Sequence, residues 1–300
     1  MTFTDFARSH GVLVGDLYPA DRIRRCATVE HERTKNGAYY WDGRRGWVMA
    51  WDGDGTTHWF SGDDKPWSDA EKRAWAAKRH AAEVERRQGY AAAAQFGAEM
   101  LKRAAPMEHA YLLGKGLAGI KTLVMPDGEM VVPMRDMQTN ALRGLQVIRW
   151  VETEPGHFGW EKKMLPRMQA KGAVLRLGPP RAAETWFVEG YATGLSLDLA
   201  LRQMHLSAAI VISFSDHNMV HVAAEATGPR YCFADNDKSG AGQRAAEAMG
   251  VPYCMSDLVG EDANDLHQRA GLMAVCMKAR DARSAAMQAR RRRPELEAPS

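Results

Sequence analysis

Between residues 184 and 271 the apolar positions change rhythm every few residues. "TWFVE", "AAIVISF", "RYCFAD" and "VPYCM" are short, nearly continuous apolar runs. Between them lie "YATGLSLDLALRQ", "NMVHVAAEA" and "GQRAAEAM"; in the first, Ala192, Leu195 and Leu199 share one helical face. Apolar runs alternating with helical stretches predict a parallel sheet with right-handed crossovers. Upstream the pattern differs. Residues 38–60, "AYYWDGRRGWVMAWDGDGTTHWF", hold three aromatic-rich runs separated by Asp-Gly turns, the mark of a small antiparallel meander. Residues 68–104 are alanine-rich, charged and free of proline, with Ser68 and Glu71 in capping-box spacing, so they predict one long helix or a pair broken near Gly89, ended by Pro106. From 107 to 180, "YLLGKGL", "LVMPDGEMVVPMRD", "LRGLQVIRW" and "FGWEKKMLPRMQAKGAVLRLG" predict further strands. The expected class is α/β: a parallel sheet with flanking helices, preceded by a mixed α+β basic segment and a small N-terminal antiparallel sheet. The corresponding divisions are 1–67, 68–106 as a helical connector, 107–180, 181–272 and 273–300.

A parallel sheet places its ligands at the carboxyl ends of its strands, and the acids of this sequence fall there. Glu189 closes one apolar run, Asp235 and Asp237 flank the end of another, and "GEDANDLH" brings Asp262, Asn264 and Asp265 after the fourth. Carboxylates so grouped raise one another's pKa unless a cation neutralises them, and hard oxygen donors suit Mg2+. Ser239, Gly240 and Gly242 are small enough to leave room for phosphate near the backbone. Any one of these acids alone is as well explained by a helix cap or an Asx-turn, Asp265 most of all.

Composition narrows the class. The chain has 300 residues, 45% apolar and 26% charged, with no run of the ~18 apolar residues a membrane helix needs and no signal-peptide layout at the N-terminus, so a cytoplasmic protein is expected. Four scattered cysteines, Cys26, Cys232, Cys254 and Cys276, give no zinc or disulfide spacing. Net charge is only +3, but its distribution is uneven. Lys115, Lys121, Arg135, Arg143, Arg149, Lys162, Lys163, Arg167, Lys171 and Arg176 crowd one segment, and Lys162, Lys163 and Lys171 form a candidate triphosphate site. Met277 to Arg293 carries seven basic residues, ending in Arg290, Arg291, Arg292 and Arg293, against the single acid Asp281, so a basic extension is expected, either solvated or in contact with phosphate. The aromatics of 38–60 serve either as the core of a small sheet or as stacking surfaces for bases.

The ordered set "VEGYATGLS", "FADNDKSGAG" and "DANDLH" resembles a Toprim domain. With "YLLGKGL", "VVPMRD", "LQVI" and "KKMLP" followed by "KGAV" before it, and "GAYYWDGRRGWVMAW" at the front, the chain resembles Toprim-type primases of plasmids, integrative elements and phages over most of residues 35–271. That resemblance implies a Toprim-like sheet and a DNA primase making short RNA primers on single-stranded DNA from ribonucleoside triphosphates. It implies Glu189 as general base or metal ligand, and Asp235 and Asp237 as ligands of Mg2+ or Mn2+, with Asp265 completing the site. Lys115, Arg135, Lys162, Lys163 and Lys171 would bind triphosphate or template. The zinc-ribbon cysteines of many such primases are missing, so no zinc is expected, and without a GxxxxGK[ST] motif unwinding falls to a separate helicase. Two other readings stay open: a Toprim nuclease using the same acids, and a DNA-binding replication accessory protein without activity.

Overall fold

The computed structural model describes residues 1–17, 19–53, 55–62, 69–179 and 181–292, in two compact units, Met1–Arg79 and His80–Ser300. The first unit opens with helix α1 (Phe3–Ser9), capped by Thr2 and Asp5 in a reciprocal capping box, and strands β1 (Val12–Leu13), β2 (Ala20–Thr28), β3 (Gly37–Trp41), β4 (Arg45–Ala50) and β5 (His58–Ser61). The five strands form one antiparallel sheet in chain order. Its core is Phe3, Ala7, Val12, Cys26, Tyr39, Val48 and Ala50, with Phe3 stacked on Trp41 at 4.6 Å. The expected meander is therefore β3 to β5; α1, β1 and β2 were not legible. Of the aromatic residues, Tyr39 and Tyr40 are buried, as a core role requires, whereas Trp51 and Trp59 are exposed.

Helix α2 (Asp69–Arg103) runs unbroken through Gly89, and its 35 residues pass from the first unit into the second. Its C-terminal half is more than a connector. Ala93, Met100 and Leu101 form a stripe at helical spacing that packs, with Ala104 just past the helix, on Leu145, Leu165 and Met168.

The second unit continues with β6 (Ala105–Met107), α3 (Ala110–Gly114), β7 (Thr122–Val124), β8 (Met130–Asp136), β9 (Leu142–Glu154), β10 (His157–Met164), β11 (Ala173–Leu177), β12 (Glu184–Val188), α4 (Tyr191–Gln203), β13 (Ala208–Ile212), α5 (Asp216–Glu225), β14 (Arg230–Phe233), α6 (Ala241–Met249), β15 (Tyr253–Cys254), α7 (Ala263–Ala270) and α8 (Leu272–Arg292). All its strands belong to one ten-stranded sheet, ordered β10-β9-β8-β11-β13-β12-β14-β15, with β7 joining β6 to β8. The sheet passes without a break across the division drawn at residues 180 and 181. β13, β12, β14 and β15 are parallel, as their apolar runs predict, while β11 is antiparallel to both its neighbours. The seam there is narrow: β11 meets β8 over two residue pairs and β13 over three, against five between β12 and β13.

Side-chain alternation divides the parallel strands between two cores. Trp186, Val188, Ile210, Ile212, Tyr231 and Phe233 face α4, α7 and α8, and Phe187, Val211 and Cys232 face α5 and α6. Each large apolar side chain removed from water contributes about 1.5–3 kcal/mol, so both faces bind their helices firmly. Gly194 lets α4 lie close to the sheet, since a Cβ there would stand 2.6 Å from Ile212. The segment set apart as a basic extension is different from that expectation: Val275, Cys276, Ala279, Ala282 and Ala286 of α8 are buried against α4 and the strands. Among the described residues no helix is long and apolar enough to cross a membrane.

Candidate active site at the carboxyl rim

Each parallel strand hands the chain to a helix, and at least one acid stands in or at the end of each of these connections. Glu189 follows β12, with Gly190 as N-cap of α4. After β13 the chain bends through Phe214, whose φ of 62° is left-handed, an uncommon conformation for a bulky residue. Its amide donates to the Glu189 carbonyl at 2.9 Å. Ser215 then caps α5, whose first residue is Asp216. Asp235 and Asp237 follow β14, and Asp262 caps α7 while accepting 2.8 Å from the Thr193 hydroxyl on α4.

The electrostatics tie these acids into one site. Burial, then a hydrogen bond and charge from Asp216 and the charge of Asp237, push Glu189 up to about 7, opposed by Lys162. Burial again leads for Asp235, which is pushed up to about 8 with contributions from Asp262, Glu189, Asp216 and Asp237. Asp237 goes the other way, to about 2, because the Ser239 hydroxyl and the amides of Gly242 and Ala241 all donate to it. One carboxylate is thus held charged beside two that resist ionisation. Gly242 is required here: a Cβ would stand 2.3 Å from the Asp235 carbonyl oxygen.

Two oxygens of this rim lack a hydrogen-bond donor although they are buried, Asp216 Oδ1 and Asp235 Oδ1. Buried carboxylate oxygens without donors are costly. Together with the raised Glu189 and Asp235, they fit a hard divalent cation, with Asp235, Asp216 and Glu189 as the residues to hold it. Among the described residues, the one trio with ligand atoms within 4.8 Å of one another is Glu30, His31 and Asp52 in the N-terminal unit. In it the Thr28 hydroxyl and His31 Nδ1 both contact Asp52.

The sequence-derived residues meet this geometry unequally. Glu189, Asp235 and Asp237 share the rim. Asp265 is expected to complete it, but its Oδ2 accepts the Asp262 amide in a capping box and its Oδ1 faces Lys115 Nζ at 3.4 Å; it is the charge of Asp262 that acts on Asp235. Asp216 joins the rim unforeseen. Its signal is present in "ISFSDH", an acid just after an apolar run, as in "FVEG" and "FADND". Burial lowers the Lys115 pKa, yet the charges of Asp265 and Asp262 outweigh it and the net shift is upward. Lys162 acts on Glu189 and lies over the Tyr111 ring, 5.2 Å from its centre. Lys163 does not join it. Consecutive residues of a strand point to opposite faces, and Lys163 pairs instead with Glu161 at 2.6 Å. Lys171 is exposed in a loop that Asn218 fixes: its side chain accepts the Gly172 amide at 2.6 Å and donates to the carbonyls of Ala173 and Ser213. Arg135 is turned away. It donates to the Asn140 carbonyl and lines a cavity of about 620 Å³ with Arg176, Thr185 and Glu225. Glu225 ends α5 whereas Asp216 begins it, roughly 14 Å apart along the axis. Beside the room expected for phosphate at Ser239, Gly240 and Gly242, the Ala241 and Gly242 amides donate to Asp237. Arg290, Arg291 and Arg292 end α8, and Arg293 lies outside the described residues.

No protein-family model matches the chain, and no curated protein matches it. Among solved structures it is similar to a DnaG catalytic core, with a TM-score of 0.34 and 16% identity over 51% of this chain and 52% of that one. It is also similar to a DnaG primase catalytic domain bound to single-stranded DNA, with a TM-score of 0.32 and 14% identity over 63% of this chain and 71% of that one. The chain therefore spans about half the length of the first of these.

Proposed function

We propose that the protein is a Toprim-type DNA primase: a nucleotidyltransferase that joins ribonucleotides into short primers on single-stranded DNA. The observation that carries this reading is the rim itself, where Glu189, Asp216, Asp235, Asp237 and Asp262 stand at or just after the carboxyl ends of parallel strands and act on one another electrostatically, with two buried oxygens lacking donors and the charge of Lys162 acting on Glu189. A bound Mg2+ or Mn2+ supplies screening of the triphosphate charge and a lowered pKa for the attacking hydroxyl. The chain's own groups do the rest. Glu189, with a pKa near neutrality, is poised to take the proton of the hydroxyl that attacks the α-phosphorus as pyrophosphate leaves. Asp237, fixed by three donors, stays ionised and would set a fixed negative charge beside that cation. Lys162 brings positive charge to Glu189 and Lys115 to Asp262 and Asp265, and both would be available to triphosphate oxygens.

The test is a purified protein incubated with single-stranded DNA, the four ribonucleotides and Mg2+ or Mn2+. Short labelled oligoribonucleotides are expected, and their loss in Asp235→Asn and Asp237→Asn. Shortened DNA with the ribonucleotides ignored would establish a nuclease using the same acids. Binding without either reaction under both metals would establish an accessory protein.

A further inference from the structure

A row of aromatic rings leads from the tip of the β9–β10 ribbon to the acidic rim. Phe158, Trp160 and Lys162 alternate along β10 and so share one face, and the pairing sets Trp160 opposite Trp150 and Lys162 opposite Ile148 on β9. Trp150 and Trp160 meet edge to face at 5.0 Å, Trp160 meets Tyr111 at 5.6 Å, and Tyr111 lies under Lys162, the cation that acts on Glu189. The inner end of the row is packed: Tyr111 is buried, and His109 closes on Trp160 at 5.2 Å while bonding the Gly128 carbonyl. The outer end is open. Phe158 is 57% exposed and Trp150 55%.

Two large aromatic faces left in water on a hairpin tip cost solvation and contribute little to the core. Their value lies in what they meet. We propose that this face is a stacking platform for unpaired bases of a single-stranded nucleic acid, which it hands on to the acidic rim. The occupant follows from the order of groups: ring faces at the entrance accept any base, a lysine further in matches the phosphate backbone, and the strand then reaches the carboxylates. Residues two apart on a strand lie roughly 6.6 Å apart, so Phe158 and Trp160 offer successive steps along one direction. A protein partner would find no reason for the row to end at Lys162 and Glu189. The inference rests on the primase reading for its purpose, though not for its test.

The experiment measures binding of a fluorescein-labelled oligodeoxythymidylate to the full chain by anisotropy, with chelator and without ribonucleotides. Trp150→Ala and Phe158→Ala should each weaken binding roughly five- to a hundredfold, with the slope of log K against log salt unchanged, because no cation is lost. Lys162→Ala should lower that slope by about 0.7. Trp150→Phe should retain most of the affinity, which separates lost stacking from lost folding. Asp235→Asn should bind as wild type, so failure of RNA synthesis leaves the platform standing. Wild-type affinity in the Trp150→Ala, Phe158→Ala double variant overturns it. So does a double variant that keeps its DNA affinity and loses self-association in sedimentation, which would assign the face to a protein contact.

Discussion

Asp235 bears the largest electrostatic cost at the rim, and its titration gives the first prediction. Its folded pKa of about 8, like that of about 7 for Glu189, lies above the unfolded carboxyl value near 4. The native state therefore holds more protons than the unfolded one, and the stability this contributes is fully present below about pH 4 and is lost as pH rises through 7 and 8. Chelated protein should be more stable to urea at pH 5 than at pH 8, and Mg2+ should restore stability at pH 8. Asp235→Asn should remove most of that pH dependence and raise metal-free stability at pH 8 by roughly 2 kcal/mol, while metal-dependent activity disappears. A variant as pH-sensitive as wild type would mean Asp235 is not a source of the strain. At this scale Glu189, Asp235 and Asp237 were legible because an acid directly after a buried run is conspicuous. Asp262 and Asp265 were both visible, but which of them faces the rim depends on the α7 capping box and Lys115, a contact across 150 positions that no local pattern carries.

Strands and helices fix what neighbouring residues can do together. Lys162 and Lys163 look like a pair in the sequence, and strand alternation separates them. Lys162→Ala should raise the ribonucleotide KM or lower kcat at least tenfold, whereas Lys163→Ala should leave both within about twofold; equal effects in steady-state kinetics would restore the pair. Helix α8 poses the same lesson in reverse. Truncation after Lys278 removes the buried Ala279, Ala282 and Ala286 and should lower Tm by many degrees, on the order of 10 °C or more. Truncation after Gln288 spares them and removes Arg290 to Arg293. It should keep Tm within about 2 °C and flatten the salt dependence of DNA binding by about 0.7 for each phosphate left without its arginine. Wild-type salt dependence in the shorter chain would make these arginines a solvated end. The core role of α8 was hidden because its inward stripe is built of alanines among arginines, so its apolar face carries little contrast. The elements between β12 and β15 were legible for the opposite reason: their runs are buried on both sides, and the Gly250 that ends α6 has a φ of 62°.

Across the whole molecule, local pattern carries the order of elements but not which distant strands meet. Nothing in "KGAVLRLG" says that it runs antiparallel to two neighbours and joins the basic strands to the parallel ones. A sheet joined over two residue pairs on one side and three on the other exchanges its amide hydrogens there by smaller fluctuations than in the five-pair ladder of β12 and β13. Asn218 reinforces the join with three hydrogen bonds to the backbone on either side. Protection of the amides at Arg135 and Val174 should accordingly fall below that at Phe187 and Val211, and Asn218→Ala should lower it further while leaving the inner strands as they were. Uniform protection across both regions would show the sheet to open as one body. Unequal protection would make the aromatic ribbon and the acidic rim separate opening units, joined by the Asn218 hydrogen bonds and by the core that Met130, Val132 and Ile148 share with Ala192 and Leu195 of α4.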